Sequence, residues 1–378
     1  MRILHTSDWH LGRSDAEHSL IEDQRFFIDA IIDIIIEKNV DAVIVAGDVF
    51  DRAVASTEAI KLYDDAMRRM CIELKKQVLV IAGNHDGAAR LSSCKELLSA
   101  AGLHVCGALT AQPQKVEFDD AEIYLLPWIT EEKVKSVYPE QAEEIGSLED
   151  AYRVVTARMR EAFAPGKRHI VAAHAFITKA ETSKSDLAAE IGLATQVGAG
   201  VFDGFDYAAL GHIHKPQDVG ENARYSGTPM PYSFGKEETQ QKSVTLIDTA
   251  DMAREIVPLP LKHIRATLTG TMDALLAAPC DEETRNGYVK LVITDRYADA
   301  EAAAALRAVY PNLLEFSGLT FDDTNASITL TAQELEEMET DPTEVFRRFC
   351  AEVIDMEPDE RLTDLFRAAL AAPQEDDA

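Results

Sequence analysis

Seven residues along this chain, Asp8, His10, Asp48, Asn84, His174, His212 and His214, are of types that bind divalent metal ions, and they fall into five blocks in fixed order. The blocks are Asp8-Trp9-His10, Gly47-Asp48-Val49-Phe50-Asp51, Gly83-Asn84-His85-Asp86, His174 and Gly211-His212-Ile213-His214. Carboxylates, imidazoles and one amide suit a pair of divalent ions, and the chemistry such a pair serves is phosphate ester hydrolysis. A phosphodiester repels nucleophiles, and its alkoxide leaves poorly. Two ions about 3.5–4 Å apart make hydroxide at neutral pH and clamp the phosphate oxygens, provided one carboxylate is shared between them.

Asp48 is the expected bridge, because it follows an apolar run and a glycine that lets the chain turn tightly. Asp8, His10, Asp48 and His214 are assigned to the first ion, and Asp48, Asn84, His174 and His212 to the second. The mixed N/O set suits Mn2+, with Mg2+, Fe2+ or Zn2+ as alternatives. His85 follows a ligand and is expected to point the other way, where it would stabilise or protonate the leaving oxygen. Asp86 is expected to fix its tautomer and raise its basicity. His5, His18, His104, His169 and His263 lie outside the blocks and read as structural histidines.

Each block follows a run of apolar, largely β-branched residues, so each is expected where a buried strand gives way to a loop. In open α/β sheets that edge is where ligands bind. Strands are predicted at Ile3–Thr6, Ala42–Ala46, Val78–Ala82, Ile123–Leu126, His169–Ala173 and Tyr207–Leu210, with helices at Ile21–Lys38, Thr57–Lys76, Arg90–Ala101 and Leu148–Phe163. The alternation describes a layered α/β domain over residues 1–260. A smaller β-α-β-α-β unit follows over 261–335, with strands at His263–Thr269, Tyr288–Thr294 and Leu313–Phe321 and helices near Met272–Ala277 and Ala300–Val309. An acidic linker, 336–342, leads to two amphipathic segments at 343–372, in which Val345, Phe346, Phe349, Cys350 and Val353, then Leu362, Leu365, Phe366, Ala369 and Leu370, recur at helical spacing. This reads as a helical hairpin suited to a partner helix or coiled coil. Residues 373–378 read as a frayed tail.

The composition frames these readings. At 378 residues, 46% of them hydrophobic and 27% charged, the chain can bury a large core and hold a second unit. Its start runs straight into a strand, with no basic stretch or apolar core of a secretory signal. The greasiest stretch, Phe26 to Ile36, is broken by Asp29 and Asp33 and reads as a core helix too short for a bilayer, so no membrane partner is expected. Five cysteines, odd in number and without CxxC pairing, fit a reduced cytosolic protein in which each is a small core residue. The net charge of −29 is unusual for a protein that grips nucleic acid unaided. Residues 261–378 carry 10 Lys and Arg against 25 Asp and Glu, so the C-terminal third is the more acidic part per residue.

In order and spacing the five blocks resemble the signature of the calcineurin-like metallophosphoesterase superfamily: D-x-H, GDxxD, GNH(D/E), H and GHxH. Within it the chain is most similar to the SbcD family of bacterial nuclease subunits, through His5-Thr6-Ser7-Asp8-Trp9-His10-Leu11-Gly12, the stretch Phe202 to Gln217 and Tyr225-Ser226-Gly227-Thr228-Pro229. The resemblance implies a layered β-sandwich flanked by helices, a small α/β capping domain and a C-terminal helical hairpin. It also implies a nucleoid-associated, cytoplasmic enzyme with two Mn2+ ions that cuts double-stranded DNA ends and hairpins. Its expected assembly is a homodimer within a heterotetramer, with an SMC-like ATPase of the SbcC type bound at the C-terminal helices. Where archaeal and eukaryotic relatives end the second block in His, this chain has Asp51, as the bacterial branch does. A phosphoprotein phosphatase would continue that block as DRG and end the third in Glu, whereas here Arg52 is followed by Ala53 and the third block ends in Asp86. A small-molecule phosphodiesterase leaves the cap and hairpin unexplained, and an inactive scaffold is opposed by the complete ligand set.

Overall fold

The structure is a computed structural model that describes residues 1–15, 18–187, 196–278, 280–296 and 298–319, together with 343, 346, 347, 361–363, 366 and 367. Two six-stranded sheets form the large domain. In one, the strands run in the order Arg254–Pro258, Ser243–Asp248, Arg2–Thr6, Ala42–Ala46, Gln77–Ile81 and Leu103–Cys106, the last four parallel. The other runs Gln217–Val219, Ala223–Tyr225, Tyr207–Gly211, Arg168–His174, Ala121–Leu126 and Lys115–Glu117, with its four central strands parallel.

The period-two pattern decides how these sheets pack. Alternate residues such as Ile3, Ile44, Leu79 and Ile81 face Ile123, Leu125, Ile170 and Tyr207 and form the layer between the sheets. Residues of opposite phase, Leu4, Val43, Val45, Val78 and Val80, pack under the Ile21–Glu37 helix through Phe27, Ile28, Ile31 and Ile35. On the far side Tyr124, Leu126, Val171 and Leu210 pack against Tyr152, Val155 and Met159 of the Leu148–Glu161 helix. Central strands buried on both faces must be apolar throughout, which is why Ala42–Ala46 reads AVIVA. His5 lies within the sandwich, where its ring bridges the sheets between the Tyr207 hydroxyl and the Leu210 carbonyl.

The smaller unit is a parallel sheet of Arg265–Gly270, Tyr288–Ile293 and Leu313–Ser317, covered by helices Met272–Leu276 and Ala300–Val309 through Leu275, Leu291, Leu306 and Tyr310. A short helix at Glu282–Asn286, capped by Asp281, is additional to the sequence expectation. Two long helical expectations break. Thr57–Met67, capped by Ser56, gives way to a π-helical turn at Arg68–Glu73. The 90–101 stretch splits into Ala88–Leu91 and Lys95–Ser99, because Ser92 Oγ bonds back to the Ala88 carbonyl and Cys94 turns left-handed at φ 58°. Cys94 is also exposed, so it is not the small core residue expected of it. No helix among the described residues is long and apolar enough to cross a membrane. Most of the expected hairpin at 343–372, the linker at 336–342 and the tail at 373–378 lie outside the described residues.

Candidate metal centre

The carboxyl ends of five parallel strands bring the five blocks together. Asp8 and His10 follow Arg2–Thr6, Asp48 follows Ala42–Ala46, Asn84 follows Gln77–Ile81, His174 ends Arg168–His174, and His212 follows Tyr207–Gly211. The first two loops are joined by backbone bonds, with Asp8, His10 and Leu11 N–H groups donating to the carbonyls of Gly47, Asp48 and Val49 at 2.9–3.0 Å. Four of the seven expected ligands hold a left-handed backbone: Asp8 (φ 54°), His10 (φ 44°), Asp48 (φ 47°) and His212 (φ 103°). Each such residue costs about 1–3 kcal/mol unless its surroundings over-determine it, and this concentration of strain marks a functional site. The glycines that precede ligands serve close approach. A Cβ on Gly47 would meet His174 Nδ1 at 2.3 Å, and one on Gly83 would meet Asp48 Oδ1 at 2.1 Å.

Asn84 Oδ1 lies 3.0 Å from His174 Nε2 and 3.1 Å from His212 Nδ1, and His174 Nε2 lies 3.4 Å from Asp48 Oδ2. Atoms bound about 2.1 Å from one ion at right angles are about 3.0 Å apart, so these spacings suit an ion's coordination shell. On the other side, His10 Nε2 and His214 Nε2 are 3.2 Å apart, with Asp48 Oδ2 3.8 Å from His10 Nε2. Three groups have metal-ligand proximity: Asp8, His10 and His214; Asp8, Asp48 and His174; and His10, Asp48 and His85. Asp8 Oδ2 is buried without a hydrogen-bond partner, an expensive arrangement in an apolar pocket and a natural one beside a cation. The residues present therefore fit a pair of divalent ions.

Burial and mutual charge set the protonation states. Burial pushes the Asp8 carboxyl up to about 8, aided by Asp48 and opposed by His174. Burial alone would lower His174, but Asp48 and Asp8 outweigh it and raise the ring to about 9. Burial would likewise raise Asp48, yet the imidazoles of His174, His10 and His85 hold it well below the carboxylate range. His212 falls to about 3, and His10 and His214 are also lowered, in each case chiefly by burial. The metal-free centre thus favours holding protons on the Asp8–His174 pair, and ion binding must expel what is held there. Calorimetric titration of Mn2+ in buffers of differing ionisation enthalpy is expected to show net proton release at pH 7, with apparent affinity rising as pH rises above 7. Proton release near zero at pH 7 would contradict this.

The surrounding residues orient the expected ligands. The His174 Nδ1–H donates to the Ala46 carbonyl at 2.9 Å, which leaves Nε2 for an ion. The Ser185 hydroxyl donates to the Glu237 carboxylate and lies 2.6 Å from His214 Nδ1, so that ring donates to Ser185 and keeps Nε2 free. Glu237 is in turn paired at 3.1 Å with Lys242, whose ammonium also donates to the His214 carbonyl at 3.1 Å. Asp186 accepts the His214 backbone N–H at 2.9 Å, and Trp128 stacks on the His212 ring with centroids 5.3 Å apart. None of these was singled out in the sequence. Trp128 had an available signal, since it follows the strand end at Leu126; Ser185, Asp186, Glu237 and Lys242 had none.

His85 stands beside these groups, edge-on to His10 with ring centroids 5.0 Å apart. The expected pairing of Asp86 with the His85 ring is corrected by the structure. His85 Nδ1 donates to the Asp51 carbonyl at 3.0 Å, while the Asp86 carboxylate turns inward to accept the backbone N–H groups of Val49, Phe50 and Gly83 at 2.9–3.2 Å. Three backbone amides compete better for this carboxylate than one ring does, so Asp86 braces the Asp48 loop. Of the histidines outside the blocks, His5, His104, His169 and His263 have polar partners.

Comparison with known proteins accords with this geometry. The calcineurin-like phosphoesterase family model matches residues 1–216, and the chain belongs to that family. Residues 257–353 match the SbcD C-terminal model, described as type 5 capsule protein repressor C-terminal domain. The two matches together support an SbcD-type nuclease subunit, a metal-dependent phosphoesterase. Among solved structures, TT1561 of Thermus thermophilus is similar at 11% identity, covering 68% of this chain and 99% of its own, with a TM-score of 0.37. GAP50, the anchor in the inner membrane complex of Plasmodium, is similar at 11% identity over 85% of this chain and 97% of its own, also with a TM-score of 0.37.

Proposed function

We propose that this chain is a two-metal DNA nuclease subunit, a double-strand exonuclease and single-strand or hairpin endonuclease that works with an SMC-like ATPase in DNA end processing, repair and recombination. The observation that carries the reading is the convergence of the seven expected ligand residues at the carboxyl ends of strands from both large sheets, in a chain whose following segment matches the SbcD C-terminal model. Asp8, His10, Asp48 and His214 hold one ion, and Asp48, Asn84, His174 and His212 the other, with Mn2+ the favoured metal. Bound there, the ions supply a hydroxide nucleophile and a clamp on the phosphate oxygens. His85, its Nδ1 fixed by the Asp51 carbonyl, presents Nε2 for the leaving oxygen. Asp86 acts on this chemistry by holding the backbone of the Asp48 and Gly83 loops.

The proposed division is a nuclease domain at 1–260, a capping domain at 261–335, an acidic linker at 336–342 and an ATPase-binding hairpin at 343–372. Phe346 and Phe366 stack with ring centroids 4.2 Å apart, which supports two segments lying against each other. By family likeness, the stretches 57–76 and 90–101, where Ile60 and Leu97 are exposed at 52% and 76%, are the candidate surface of the homodimer within a heterotetramer. A cytoplasmic, nucleoid-associated location follows from the same reading.

The charge of −29 fits an enzyme whose ATPase partner supplies most phosphate contacts. The isolated chain is accordingly expected to bind DNA weakly in a fluorescence anisotropy titration, and tight, salt-sensitive binding alone would contradict this. The function itself is tested by a Mn2+-dependent nuclease assay on blunt and hairpin DNA, with and without an SbcC-type ATPase. Cleavage that depends on Mn2+ and increases with the partner is expected. Hydrolysis of phosphopeptides but not DNA would overturn the reading.

A further inference from the structure

Two tethers from the small domain end beside the two side chains that hold the Trp9-His10 turn. On the Ile21–Glu37 helix, Asp23 is buried and accepts the Tyr288 hydroxyl at 2.8 Å, with His263 Nδ1 2.9 Å away. The next residue, Gln24, is fully buried; its Nε2 donates to the His10 carbonyl at 2.7 Å and its Oε1 accepts the Gly12 N–H at 2.9 Å. The second tether has the same form. Arg265 pairs with Asp15, donates to the Pro231 carbonyl at 2.9 Å and lies over the rings of Phe234 and Tyr288 at 5.1 and 5.5 Å. The residue after Pro231 is Tyr232, whose hydroxyl donates to the Trp9 carbonyl and whose ring meets His10 edge-on at 5.6 Å.

The turn they hold needs holding. Asp8 and His10 both sit at positive φ, a conformation a non-glycine residue keeps only when its surroundings over-determine it. The N–H groups of Asp8 and His10 are spent on the Asp48 loop, the His10 carbonyl also accepts the Arg13 N–H at 3.1 Å, and the side-chain bonds to the carbonyls of Trp9 and His10 come from Tyr232 and Gln24. We infer that docking of the small domain pre-organises the Asp8–His10 metal loop through Asp23–Gln24 and Pro231–Tyr232, with Gln24 and Tyr232 as positioning residues. This rests on the reading of Asp8 and His10 as metal ligands.

The test uses the full chain and Mn2+ calorimetry. Gln24→Glu keeps size and the acceptor for Gly12 but faces the His10 carbonyl with a carboxylate oxygen, and it is expected to weaken Mn2+ binding about tenfold. The double variant His263→Ala, Tyr288→Phe removes the Asp23 tether without changing the large domain, and it is expected to weaken binding about three- to tenfold. Tyr232→Phe, which removes only a hydroxyl, serves if either variant fails to fold. A merely structural role would lower the melting temperature of the metal-free protein and leave Mn2+ affinity at the wild-type value; that result overturns the inference. A response to Gln24→Glu but not to the double variant overturns the part played by the small domain. Wild type that binds no Mn2+ overturns the metal-centre reading and the inference with it.

Discussion

Asp48→Asn is expected to lower phosphodiesterase activity by about 10³-fold or more and to cut bound metal from two ions to at most one per chain. The substitution keeps the shape of a side chain whose Oδ1 accepts the His85 N–H at 2.9 Å and against which Gly83 is closely packed. What it removes is the charge that belongs to two of the three metal-capable groups and that offsets the burial of His174. Without that charge the site loses an anion that offsets the ions, and an amide offers one oxygen where a carboxylate offers two. Metal analysis of the purified variant beside the assay checks both parts. Two ions retained with full activity would remove Asp48 from the bridging position.

His85→Ala is expected to separate chemistry from binding. Cleavage should fall by about 10²–10⁴-fold while both ions remain, because the side chain contributes a proton-transfer group. The geometry supports this. Nδ1 is committed to the Asp51 carbonyl, Nε2 is left free, and the backbone N–H that contacts Asp48 survives the substitution. His85 also stands close enough to His10 and Asp48 to serve as a ligand. Loss of an ion from the variant would move it into the ligand set.

The clustering of these residues could be read from the sequence because each obeys a local rule. Asp8, Asp48, Asn84 and His212 each come just after a strand with a buried apolar core, and the last three follow a glycine that admits a neighbouring loop. Strands were legible for the same reason: a run such as AVIVA has only one place in a four-layer fold. The helical breaks were not, since the periodicity of 57–76 continues through the π-helical turn and nothing near Cys94 announces a left-handed residue. Nor was the partner of Asp86 legible. Adjacency to His85 suggested a pair, but the backbone of a loop 36 and 37 residues away captured the carboxylate. The chain from Lys242 through Glu237 and Ser185 to His214 is likewise tertiary, assembled from loops whose sequences carry no metal-site pattern.

The most direct measurement is anomalous diffraction from crystals of this chain grown or soaked with Mn2+. Two peaks about 3.5–4 Å apart are expected, one within reach of Asp8, His10 and His214, the other within reach of Asn84, His174 and His212, with Asp48 between them. A single peak, or two peaks that do not share Asp48, would contradict the two-metal centre.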